Sequence, residues 1–80
     1  MKPKFTITKK YINMGQRCEP KKCPVALTFR NNGYPDASVG ASHVNLTSTL
    51  FIKLPEKVIR FRRAFDQGHL VGPITFELDI

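Results

Sequence analysis

Between Pro24 and Arg30 the chain reads PVALTFR, and Asn31-Asn32-Gly33 follows at once. Proline suits the first position of a helix, because its missing N–H would have no partner there. The Asn-Asn-Gly triplet ends helices, and its glycine reaches a left-handed backbone freely. Val25, Ala26, Leu27 and Phe29 leave this short helix apolar on almost every side. Such a helix has no face to give to water and is expected to be enclosed. Any fold for the chain must therefore wrap around residues 24–30.

Eighty residues make one domain, 1–80, with a modest core. KFTIT (4–8) alternates apolar and polar residues and reads as a strand. Thr8 is placed to cap a helical turn over 9–14, with Gly15 expected as its left-handed stop. QRCEPKKC (16–23) reads as a basic loop. Three β-rich pieces follow at 37–40, 42–47 and 49–54, with Val44 and Leu46 on one face and His43 and Asn45 on the other. Pro55 opens a helix, PEKVIRFRRAFDQ, which Gly68 closes. In the last strand, 73–80, Ile74, Phe76 and Leu78 share a face. The order predicts an α+β fold, a mainly antiparallel sheet with two helices on one face. It also fits the split βαβ arrangement, βαββαβ.

Charge is the strongest global signal. Thirteen Lys and Arg face six Asp and Glu, a net charge of +7. All thirteen cations lie before Ala64, and the tail beyond carries only Asp66, Glu77 and Asp79. A body this basic favours polyanions, either nucleic acid or an acidic protein surface. Two regions concentrate the charge. On the last helix Val58, Phe61 and Phe65 form an apolar stripe, and Lys57, Arg60 and Arg63 line another face at spacings of three. Arg62 projects between Val58 and Ile59, at the border of the apolar face. It is expected to snorkel outward over the core edge, or to join a four-cation ridge beside an exposed Ile59. The second region is Lys9, Lys10, Arg17, Lys21 and Lys22 around the loop, with Tyr11 and Tyr34 as candidate stacking aromatics. No RNA-recognition octapeptide, GXXG clamp or zinc-finger spacing accompanies them.

Two cysteines in a chain with its own apolar core point to a reducing compartment. Cys18 and Cys23 could offer thiolates to zinc, with His43 and His69 completing four ligands. The histidines stand alone rather than as a tight pair, so no cofactor is expected. Lys21 and Lys22, together with a helix start, would lower the pKa of Cys23. A structural role for Cys23, as a small residue at the helix cap, is the stronger expectation. The six acidic residues form no spaced pair with a histidine, and no phosphate loop or nucleophile elbow appears, so an enzyme is not expected. The N-terminus has no continuous apolar stretch of a signal peptide, and no run is long enough to span a membrane.

CPVAL opening a helix, FDQG ending one and PITFEL as a terminal strand resemble a set of small uncharacterised bacteriophage and prophage proteins. The resemblance covers roughly 23–31 and 58–78, and implies a phage origin and a host cytoplasm. It carries no catalytic residue across. The resulting expectation is a binding protein that engages and modulates a host or phage macromolecular complex. Its contacts would come from Lys57, Arg60, Arg62 and Arg63, then Lys9, Lys10, Lys21 and Lys22. Direct nucleic-acid binding by the same residues is the alternative, and a zinc- or thiol-dependent domain the third. A homodimer through a surface strand such as 37–40 is compatible with the pattern.

Overall fold

The computed structural model describes residues 2–80. It is an α+β domain of three helices and two antiparallel sheets. The elements are β1 (Lys4–Ile7), α1 (Lys9–Met14), α2 (Pro24–Arg30), β2 (Ser38–Val39), β3 (His43–Thr47), β4 (Leu50–Lys53), α3 (Glu56–Asp66) and β5 (Ile74–Glu77). β1 pairs with β5, placing Phe5 opposite Phe76, so the two ends of the chain close on each other. β2, β3 and β4 form a second sheet in that order. The split βαβ arrangement is therefore not adopted, and there is no single sheet with helices on one face. Among the described residues no strand of one sheet pairs with a strand of the other, and α2 is in contact with both, through β1 and β2.

α2 is the centre of the molecule. Pro24, Val25, Ala26, Thr28 and Phe29 are all buried, and the helix touches α1, α3, β1 and β2. Cys23 caps its start, its Sγ accepting from the Ala26 N–H at 3.4 Å, and Pro24 follows at the first position. Thr28, a polar residue with no exposure, donates its hydroxyl to the Pro24 carbonyl at 2.8 Å. At the other end the side chains of Asn31 and Asn32 donate to the Leu27 and Thr28 carbonyls, and Gly33 turns with φ of 101°. Both signals legible around residues 24–30 thus act as expected, since each satisfies backbone groups that a helix end leaves free.

Gly15 departs from expectation. It is extended, with φ of −68° and ψ of 153°, so it supplies no left-handed stop. A Cβ there would lie 2.6 Å from the Pro24 ring. The glycine is required because the backbone leaving α1 runs directly against the first residue of α2. Thr8 does cap α1, accepting from the Tyr11 N–H. Pro55 is the N-cap of α3 rather than its first residue. Gly68, with φ of 82°, closes that helix, and His69 N–H returns to the Ala64 carbonyl.

The inner faces of both sheets close on α2. Phe5, Phe29 and Phe76 form an aromatic group, with ring centroids of Phe5 and Phe29 4.9 Å apart at 74° and those of Phe29 and Phe76 5.8 Å apart at 81°. Edge-to-face contact of this kind adds to the area each ring buries. Val39, Val44 and Leu46 come from the three-stranded sheet, and Val58, Ile59 and Phe61 from α3. Phe29→Ala empties the middle of this group. It should cost about 3–5 kcal/mol, a large part of the roughly 4–12 kcal/mol that 80 residues can hold. Urea unfolding should show the midpoint collapse.

Candidate nucleic-acid interface

The α3 ridge is not the surface its sequence suggested. Arg62 neither snorkels outward nor joins the row. It turns inward, and its Nη1 donates to Asp66 Oδ2 at 2.6 Å, the two side chains only 22% and 15% exposed. The other Asp66 oxygen accepts the Cys18 N–H at 3.0 Å. That bond holds Cys18 in a left-handed conformation, φ 59°, which a non-glycine residue adopts at a cost. Ile59, expected beside the ridge, is buried. It lies on the same side of α3 as Arg62 and Asp66, one turn and two turns on. The helix therefore buries a wider arc than Val58, Phe61 and Phe65 alone. Three exposed cations remain on it: Lys57, Arg60 and Arg63. Lys57 Nζ donates to the Thr75 carbonyl at 3.1 Å, and Arg60 lies 3.4 Å from Glu56. Among the described residues, Arg63 has neither kind of contact.

Lys9 and Lys10 are exposed on the first turn of α1, and Lys21 and Lys22 on the loop. The loop is ordered by its own backbone: Gln16 N–H to the Lys22 carbonyl, and both Lys22 N–H and Cys23 N–H to the Glu19 carbonyl. Its Pro20 carbonyl accepts the Val39 N–H at 2.8 Å, so the loop lies along the outer edge of β2. The Val39 N–H on the edge where a second copy could have paired is thus already taken. Tyr11 and Tyr34 are half-buried against the core rather than displayed beside the loop.

The exposed aromatic surface lies elsewhere. On the outer face of the three-stranded sheet, His43 stands opposite Lys53 and Asn45 opposite Phe51, and Ser38 pairs with Asn45 on its other side. His43 and Phe51, diagonal neighbours across the strands, stack with centroids 4.6 Å apart and planes 3° from parallel. His43 Nδ1 is 2.8 Å from Ser42 Oγ, which fixes the ring. Phe51 is 62% exposed. A shallow groove of about 310 Å³ crosses this face from Pro20 to Phe51, passing Ser38, His43 and Asn45. The sequence pattern singles out Tyr11 and Tyr34 and misses Phe51; an aromatic on the outward side of TLFIKL is the signal that could have found it.

The zinc candidates are not brought together. Among the described residues no three His, Cys, Asp or Glu side chains form a group able to hold a metal. His43 is stacked on Phe51, and His69 is exposed beyond the end of α3. Cys18 and Cys23 both border a second cavity of about 290 Å³ with Glu19, Arg62 and Asp66. Both thiols are free, Cys18 exposed and Cys23 buried. Burial pushes the Cys23 thiol above its ordinary range, outweighing the Ala26 and Val25 N–H groups that favour the thiolate. Asp66 raises it further and Arg62 partly opposes this. The expected lowering by Lys21 and Lys22 does not govern, because the sulfur is inside while those ammonium groups are in water.

No family model, curated protein or solved structure matches the chain. The site is read from its geometry alone.

Two predictions follow from the inner face of α3. With a chromogenic disulfide reagent at pH 8, Cys18 should react at the rate of an exposed thiol, and Cys23 about tenfold or more slower until the protein unfolds. Because folding raises the Cys23 pKa, stability is unaffected at neutral pH and falls as the pH climbs past about 8.5, where the unfolded chain ionises first. Asp66→Ala leaves Arg62 part-buried without its carboxylate and frees the Cys18 N–H. It should cost about 2–3 kcal/mol in urea unfolding, and an Arg62→Met, Asp66→Leu double variant should recover much of that loss.

Proposed function

We propose that the protein binds nucleic acid directly and has no catalytic chemistry of its own. One observation carries this reading. Among the described residues, only Arg60 and Arg62 of the thirteen Lys and Arg have a carboxylate within salt-bridge distance. Of the others, Arg30 and Lys57 donate to the Ala37 and Thr75 carbonyls, and none has an acid of the chain beside it among the described residues. Cations without internal partners attract a polyanion, and release of the condensed ions on a nucleic acid strengthens its binding. They are spread over α1, the loop, β4 and α3, which suits a backbone with a charge at every nucleotide.

The alternative, a protein complex held by the α3 ridge, loses its centre. Stable protein interfaces are organised around buried apolar or aromatic anchors with a charged rim. Ile59 was the anchor available to that ridge, and it belongs to the core. The resemblance to phage proteins would set the activity in a host cytoplasm, where reduced thiols match two free cysteines.

Fluorescence anisotropy with a short labelled oligonucleotide tests the reading. The logarithm of the affinity should fall linearly with the logarithm of salt, by about 0.7 per phosphate contacted on a single strand. A Lys21→Ala, Lys22→Ala variant should bind more weakly and lose about 1.4 from that slope. Failure to bind any oligonucleotide at low salt, with nuclease-resistant capture of one protein partner, would return the argument to a protein surface.

A further inference from the structure

We infer that the outer face of the β2–β3–β4 sheet is a base-stacking subsite, and that the nucleic acid it takes is single-stranded. This deepens the reading above and rests on it. The unpaired cations account for attraction to phosphates, but they do not choose between a duplex and a single strand. The sheet face does.

Phe51 is an apolar ring left mostly in water on a sheet face, a position that contributes nothing to the core. It is held in one orientation nevertheless. His43 backs one side of the ring in near-parallel contact, and the Ser42 hydroxyl holds the His43 ring in turn. A base laid on the open side of Phe51 would extend this stack. Every base has a flat π-face, so stacking tolerates sequence, but it requires bases that are not already stacked in a duplex.

The surroundings complete a nucleotide-sized site. Ser38, Asn45 and Phe51 form one row across the three strands, and Pro20 borders the same groove beyond β2. Asn45 presents an amide beside the stacking ring, with both donors and an acceptor for a base edge. Lys53, opposite His43 and two residues along β4 from Phe51, brings a cation to the same face, and Lys21 is exposed one residue after Pro20. A cation beside an aromatic platform suits a single strand, its phosphates on the charge and its bases on the ring. A double helix presents its phosphates outward and cannot reach the ring.

The test compares an oligothymidylate of about ten nucleotides, the corresponding duplex and an abasic strand of the same length, each titrated by anisotropy. The wild-type protein should bind the intact strand more tightly than the other two. Phe51→Leu keeps an apolar residue at an exposed strand position and removes the ring, so it should weaken intact-strand binding about tenfold or more and leave abasic binding unchanged. Phe51→Tyr should retain binding, and His43→Ala should weaken it by less than Phe51→Leu. Thermal melts of the variants separate lost binding from lost folding, and Phe51→Trp, in a chain with no tryptophan of its own, gives a second readout, since stacking quenches the indole. If Phe51→Leu binds as the wild type does, or if the duplex binds as well as the strand, the stacking subsite is overturned while cationic binding stands. If no nucleic acid binds at all, both readings fall.

Discussion

The enclosure of α2 is the constraint on which the rest of the structure depends. A seven-residue helix is too short to be stable by itself in water, and this one has almost no polar surface. It persists because the surrounding chain contributes a cover: Phe5 and Ile7 from β1, Phe76 from β5 and Leu78 just after it, Val39, Val44 and Leu46 from the three-stranded sheet, and Val58, Ile59 and Phe61 from α3. The tight passage of Gly15 against the Pro24 ring follows from the same demand, since α1 must leave close enough to close one side. Two sheets instead of one are the geometric result. A helix enclosed on all sides leaves no room for five strands to run continuously past it.

That arrangement also divides the charged residues into two kinds. Arg62 and Asp66 are drawn inside by the wide buried arc of α3, where each requires the other and Asp66 also holds the backbone of Cys18. They fasten the basic loop to the last helix. The loop's remaining cations, and those of α1 and β4, are left outward with no acid to meet. Inward and outward cations are thus adjacent in sequence in the Arg62-Arg63 pair. The same separation applies to the sulfur atoms: Cys23 is a neutral cap inside the fold, and Cys18 stands in solvent a few residues away.

The sheet face offers the counterpart to this charge. β3 and β4 bury Val44, Leu46 and, partly, Ile52 toward α2, and the pleat therefore forces His43, Asn45, Phe51 and Lys53 outward. Phe51 is placed in water by the register of its strand, with the stacked His43 and the paired Asn45 as its neighbours on that face. This face is backed by the core, because the other side of the same sheet is buried.

Much of this was determined by local sequence. Pro24 and Asn31-Asn32-Gly33 bounded α2, Thr8 and Gly68 capped their helices, and alternation located the strands and their inner faces, because each of these signals acts within a few residues through backbone geometry and hydrogen bonding. Tertiary structure decided what depends on distant partners. It split the strands into two sheets, turned Arg62 toward Asp66 and buried Ile59, because helix periodicity fixes which residues share a face but not how wide an arc the rest of the protein will cover. It gave Gly15 its purpose through Pro24, and withdrew Tyr11 and Tyr34 from the basic loop. It set Phe51 on His43, a contact between two strands whose register only the hairpin between them and the buried face beneath could fix.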